Sequence, residues 1–319
     1  MERSMKRQVG AVGVLLLALF AECAFAESAP PSEASRRAEL STALQAAGQA
    51  GTKGPADVSL IDQAALKLST GDLFVPKEEG ARLLRAFGNV VSETSFVGLV
   101  VGQYQNDLSI VVIRHVRDGY IKDDDAKSWN ADDLLKNLKS STEEANKDLV
   151  ARGFPERQVI GWVEAPHYDA VTHRLVWSVL GADKGAPSDT PKNINYNTYA
   201  LGRDGYFSLN LLSDSDRISG EKAFAHRLLA ALAYNDGKRY EDFNASTDSI
   251  AEYGLAALIG GIAAKKLGLF ALAIAFVLKF AKVIFAGAAM VGIGVIKFFR
   301  RKTRDDKTAD RPLDAPDAA

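Results

Sequence analysis

Asn193-Ile-Asn-Tyr-Asn-Thr-Tyr-Ala-Leu201, Gly202-Arg-Asp-Gly205 and Tyr206-Phe-Ser-Leu-Asn-Leu-Leu212 decide the fold class of this chain. In the last run Phe207, Leu209 and Leu211 alternate with Tyr206, Ser208 and Asn210, the period of two that a half-buried strand requires. So short a link returns the chain antiparallel, because a parallel crossover needs about a dozen residues or more. Two further pairs follow the same rule. Phe96–Tyr104 and Leu108–Val116 flank Gln105-Asn-Asp107, while Gln158–Glu164 and His173–Ala182 flank Pro166-His-Tyr-Asp-Ala-Val-Thr172. A helix is expected from Asn130, a capping residue with Asp133 at the third position, to about Arg152, carrying Leu134, Leu135, Leu138 and Leu149. Another is expected over Ser219–Tyr234, with Phe224, Leu228, Leu229 and Leu232 on one face, and a shorter one over Lys77–Phe87. Hairpins and helices outside strict βαβ alternation predict an α+β domain over 57–248, an antiparallel sheet of about six strands with helices packed on it. Residues 27–56 read as a spacer with helical potential over Glu33–Ala47, and no internal repeat divides the domain.

The 319 residues carry 39 Lys+Arg against 40 Asp+Glu, a net charge of -1 that argues against a dedicated nucleic-acid binder. At 47% hydrophobic and 25% charged the composition is globular rather than disordered, and a single cysteine excludes a disulfide scaffold.

Both ends of the chain carry an address. Arg3, Lys6 and Arg7 precede an apolar Val9–Ala21, and Ala24-Phe-Ala26 supplies small residues at the -3 and -1 positions. This pattern reads as a signal peptide over 1–26, cut before Glu27 and taking Cys23 with it. At the other end 250–299 is expected to be a membrane-anchoring helical region. Val283–Ile296 is uncharged, and Phe280–Phe299 reaches about 30 Å as a helix if Lys282 and Lys297 extend toward opposite interfaces. Lys297, Arg300, Arg301, Lys302 and Arg304 then mark the cytoplasmic side ahead of a polar tail. One crossing satisfies both signals and leaves the main domain in the periplasm. Lys265, Lys279, Lys282 and Lys297 fall in one sector of a continuous helix, which leaves an interfacial helix, an oligomer stripe or a hairpin open.

Two polar clusters are candidates for chemistry. Asp123, Asp124 and Asp125 are adjacent carboxylates, but neighbours on an extended chain point apart and no glycine or distal glutamate follows at EF-hand spacing. They read first as a solvated turn leading into the Asn130 helix. Glu164, His167, Asp169 and His173 are all zinc-ligand types on one hairpin, yet no HExxH accompanies them. His115 and His226 read as satisfied sheet and helix histidines. There is no G-x-S-x-G elbow or P-loop, so no catalytic residue, metal ligand or cofactor is assigned. Trp129, Trp162, Trp177, Tyr196, Tyr199 and Tyr206 read as core before groove. Asp123, Asp124, Asp125, His167, Asp169 and His173 stand as candidate ligand-binding residues, with Lys282, Lys297, Arg300 and Arg301 as interface anchors.

Gly119-Tyr-Ile-Lys-Asp-Asp-Asp-Ala126, Gly161-Trp-Val-Glu-Ala-Pro-His-Tyr-Asp169, Thr172-His-Arg-Leu-Val-Trp177, Asn195-Tyr-Asn-Thr-Tyr-Ala-Leu-Gly202, Tyr240-Glu-Asp-Phe243 and Ala251-Glu-Tyr-Gly-Leu-Ala-Ala257 resemble the bacterial family named domain of unknown function 2167. The resemblance covers about 55–298 and implies a signal peptide, an extracytoplasmic domain and a C-terminal anchor. The family carries no established activity, so no catalytic residue transfers. The expectation is a binding or scaffold module in the bacterial inner membrane. Its expected partners are the lipid bilayer and another membrane or envelope protein, with self-association through 253–299 in view. The alternatives are an envelope enzyme using Asp123–Asp125 with His167–His173, and an oligomeric pore or transporter accessory.

Overall fold

The computed structural model describes residues 33–260, apart from 88, 90, 92–93, 106 and 152–153. The expected signal peptide, the crossing and the anchors Lys282, Lys297, Arg300 and Arg301 therefore lie outside the described residues. Among those described, no helix is long and apolar enough to cross a membrane.

The central hairpin pairs as its alternation requires. β9 (Asn193–Gly202) and β10 (Gly205–Asp214) place Phe207 opposite Ala200, Leu209 opposite Thr198 and Leu211 opposite Tyr196. On its other side β10 pairs β6 (Asp107–Val116), which pairs β5 (Phe96–Tyr104), and β9 pairs β8 (Arg174–Asp183), which pairs β7 (Arg157–Asp169). Beyond β5 come β4 (Leu73–Pro76) and β1 (Thr52–Lys53), so the sheet has eight strands and not about six. A second sheet, ordered β11-β3-β2, is made of β2 (Ala56–Leu60), β3 (Ala64–Leu68) and β11 (Leu232–Tyr234). These extra strands are short, and Asp57, Lys67 and Pro76 interrupt their apolar runs. The helix expected to run through Tyr234 is α4 (Ile218–Ala231), and its last three expected residues turn into β11.

Alternation on β10 divides the core. Phe207, Leu209 and Leu211 face Val111, Ile113 and Tyr196 beneath α4 and the small sheet. Tyr206 points the other way, among Tyr199, Leu201, Leu175 and Trp177, so these aromatics are core as expected. That second face is covered at one flank by α3 (Ala131–Ala151) and 249–260, and at the other by α1 (Glu33–Ala50) and α2 (Lys77–Ala86). α1 lies in the expected spacer, but it buries Leu40, Ala43 and Ala47 against the same core as Leu83 and Leu84. A buried leucine contributes about 2 kcal/mol, which holds the helix to the domain. At the start of α3 the Asn130 side chain accepts from Asp132 N and Asp133 N at 2.8 and 3.1 Å, the cap the sequence implied.

α4 carries a buried carboxylate. Glu221 is 1% exposed and accepts from Ser109 Oγ and Ser213 Oγ, both at 2.6 Å, and from Arg217, which also donates to Leu108 O at 3.0 Å. Removing one partner of a buried ion pair strands the other charge. Arg217→Met is therefore expected to cost about 3 kcal/mol in denaturant unfolding.

His115 packs tilted against Phe207 at 4.6 Å between ring centroids, with Nε2 buried and lacking a hydrogen-bond partner among the described residues. Burial holds its imidazole below the ordinary value of 6.5, outweighing the Asp204 charge. In the unfolded chain His115 takes up a proton at higher pH than in the fold. Its contribution to stability is thus complete above the unfolded value and lost as pH falls below it through the folded one. His115→Leu is expected to flatten that acid limb in urea melts taken across pH.

Candidate functional site

After β6 the chain leaves the sheet as a strap, residues 117–128, which crosses to the segment 249–256. Tyr120 N donates to Ser249 O and Ala251 N to Tyr120 O, each at 2.9 Å, and Leu255 N reaches Lys122 O at 3.2 Å. Gly119 makes the crossing with φ +93, and a Cβ there would lie 2.7 Å from Ser249 O, so the position needs glycine. Ile121 is fully buried below the strap, and Tyr240 Oη donates to its carbonyl at 2.7 Å.

The three adjacent aspartates point three ways. Asp124 is exposed, and a hydrogen bond from Lys127 at 2.9 Å holds its carboxyl below the usual carboxylate value. Asp125 turns to the C-terminal segment, where its oxygens accept from Leu255 N at 3.2 Å and Ala256 N at 2.9 Å. Asp123 turns to the sheet and accepts from Tyr168 Oη at 2.7 Å. The turn is therefore not simply solvated: two of its three carboxylates tie separate parts of the chain together.

Tyr168, the last residue but one of β7, also meets His173 Nδ1 at 3.0 Å, while that nitrogen stands 3.8 Å from Asp123 Oδ2. His173 has a left-handed backbone, φ 53, where β7 turns into β8. Its ring lies on Tyr240 at 4.1 Å, and Tyr240, Tyr120 and Phe243 continue the stack at 4.4 and 3.9 Å. Burial first, then the Asp123 carboxylate, pushes the Tyr168 phenol far above its ordinary value. Burial and Tyr120 do the same to Tyr240. Both phenols hold their protons at neutral pH and serve as hydrogen-bond donors, not phenolate nucleophiles.

Asp123 and His173 thus meet, from parts of the sequence fifty residues apart. The rest of the second cluster disperses. His167 is exposed, and Asp169 closes the hairpin turn by accepting from Val171 N at 2.8 Å and Thr172 Oγ1 at 2.7 Å. Glu164 lies on the opposite face, where Tyr196 Oη donates to it at 2.8 Å and stands 2.6 Å from His226 Nε2. The cause is β7 itself, whose register shifts between Val159 and Gly161, Trp162 and Glu164, and Glu164 and His167. Each shift exchanges the faces that sequence spacing implies. Among the described residues no three His, Cys, Asp or Glu side chains could hold a metal ion.

Tyr168, Tyr240, Tyr120 and Phe243 are the members that residue-type reasoning passed over. Each was visible only as an aromatic inside one of the quoted stretches, which the structure now brings to one end of the sheet.

Fold and site define an α+β protein whose aromatic and carboxylate cluster ties its C-terminal segment to the sheet. The family described as Protein of unknown function (DUF2167) matches residues 52–289, and the chain belongs to it. No curated protein matches the chain. Among solved structures, the solution structure of cyanobacterial PsbP (CyanoP) from Synechocystis sp. PCC 6803 is similar at a TM-score of 0.33 and 9% identity, over 55% of this chain and 88% of that one. So low a score carries no argument about this protein.

Asp125→Ala removes the shared acceptor for two backbone N–H groups. Hydrogen bonds to a charged group contribute about 2 kcal/mol each. The expected result is faster amide hydrogen exchange over 249–259 with unchanged protection of β9 and β10.

Proposed function

We propose that the protein is a membrane-anchored, extracytoplasmic binding module whose sheet domain is held rigidly against the chain that leads into the bilayer. The observation that carries this reading is the seating of 249–259. Ala251, Leu255, Leu258 and Ile259 are buried in the core beneath the strap, so the domain holds the chain up to the residue where the long apolar sequence begins. The signal peptide pattern and the basic cluster after Phe299 support a periplasmic domain with one crossing of the bacterial inner membrane. A protein fixed in orientation at a membrane is suited to meeting a membrane or envelope partner. Alkaline phosphatase joined after Ala319 is expected to be inactive while external protease degrades the sheet domain of spheroplasts. An active fusion with a protected domain overturns the reading.

A second reading, an envelope enzyme, is favoured by one observation: Asp123 and His173, each 23% exposed, converge through Tyr168. His173→Ala is then expected to abolish complementation of a deletion strain. Full complementation by that variant removes the enzyme reading and leaves the binding module.

A further inference from the structure

The chain has four histidines, and two of them end the same kind of hydrogen-bond chain. Tyr168 Oη lies between Asp123 Oδ2 at 2.7 Å and His173 Nδ1 at 3.0 Å. Tyr196 Oη lies between Glu164 Oε2 at 2.8 Å and His226 Nε2 at 2.6 Å, with Lys222 Nζ 3.7 Å from the same carboxylate oxygen. A phenol has one proton to donate, and an ionised carboxylate can only accept. The phenol therefore donates its hydrogen bond to the carboxylate and keeps its proton. The imidazole nitrogen must carry its own proton to complete the second bond. The nitrogens in contact differ, Nδ1 in one ring and Nε2 in the other.

The geometry points to opposite tautomers in one molecule: His173 held as Nδ1–H by Asp123 and Tyr168, and His226 held as Nε2–H by Glu164 and Tyr196. The consequence lies at the free nitrogen. His173 Nε2 makes no hydrogen bond to the described residues and is not among the buried atoms that lack a partner. With the His173 side chain 23% exposed, that lone pair is the one left for an external donor at the end of the Phe243, Tyr120, Tyr240 and His173 stack. The ligand such an atom recognises is a hydrogen-bond donor, a hydroxyl or an ammonium group. Tyr168 is in this sense a positioning residue, and the inference rests on the enzyme reading only for what is done with that lone pair.

The two relays differ in what holds the carboxylate. Glu164 stands on β7, whereas Asp123 stands on the strap two residues before Asp125, which grips Leu255 and Ala256. Seating of the C-terminal segment therefore sets the tautomer of His173 and leaves His226 untouched. A partner that draws 249–256 away from the domain would release the His173 ring.

Long-range proton–nitrogen correlation spectra of the imidazoles test this in the full-length protein in lipid nanodiscs at mildly alkaline pH. His173 is expected as Nδ1–H and His226 as Nε2–H. In Asp125→Asn, which touches neither Tyr168 nor His173, Nε2–H is expected to become the majority form of His173 while His226 is unchanged. Asp123→Asn is a second route to the same shift, because its amide can donate to the phenol oxygen and free the phenol proton for Nδ1. A native His173 found as Nε2–H overturns the assignment. A native-like His173 spectrum in Asp125→Asn overturns the coupling. If the tautomers hold and His173→Ala still complements, the enzyme reading fails and the relay assignment stands.

Discussion

A backbone N–H taken out of water must find an acceptor: Ala256 finds the Asp125 carboxylate, and Leu255 shares it with the Lys122 carbonyl. Gly254 lies so close that a Cβ on it would stand 2.5 Å from Asp125 Oδ2. From this contact the rest of the end of the sheet follows. With 249–256 fixed, Tyr120 pairs with it by backbone, Tyr253 donates to Asp118, and Leu255, Leu258 and Ile259 close the core over Ile121. Asp123, carried on the same strap, then reaches Tyr168. Burial and hydrogen bonding are here mutually dependent: neither the apolar side chains nor the carboxylates could be seated alone.

The opposite face shows a different solution to the same problem. Glu221 and Arg217 are held by two serines and a strand carbonyl, and Arg227 on α4 grips Asp72 at 2.6 and 2.8 Å. These pairs lock a helix onto a sheet. The strap instead locks the beginning of a chain segment that continues past the domain.

The hairpins were legible because their alternation matches the pleat, as Phe207, Leu209 and Leu211 show, and α3 because Asn130 caps it. β1 to β4 and β11 were not, since strands of two to five residues carry too little periodicity and β11 continues an apolar helical pattern. Of the candidate site, Asp123 and His173 were chosen by residue type, and the structure places them side by side. Tyr168 escaped notice because the reading ended its strand at Glu164 and left Tyr168 in the link, whereas β7 continues to Asp169. The grouping of Glu164 with His173 failed because nothing in the residues of β7 announces three register shifts.

Those shifts make β7 a strand whose parity is part of its content. Trp162 and Glu164, two residues apart, face opposite sides, and so do Glu164 and Tyr168, four apart. An undistorted strand would put each pair on one side. Both relays therefore depend on the count of residues between Trp162 and Tyr168 as well as on their identity. A deletion of one residue there would leave every functional side chain in the sequence and still deny one relay its partner. Length in this strand is as much a part of the site as any carboxylate.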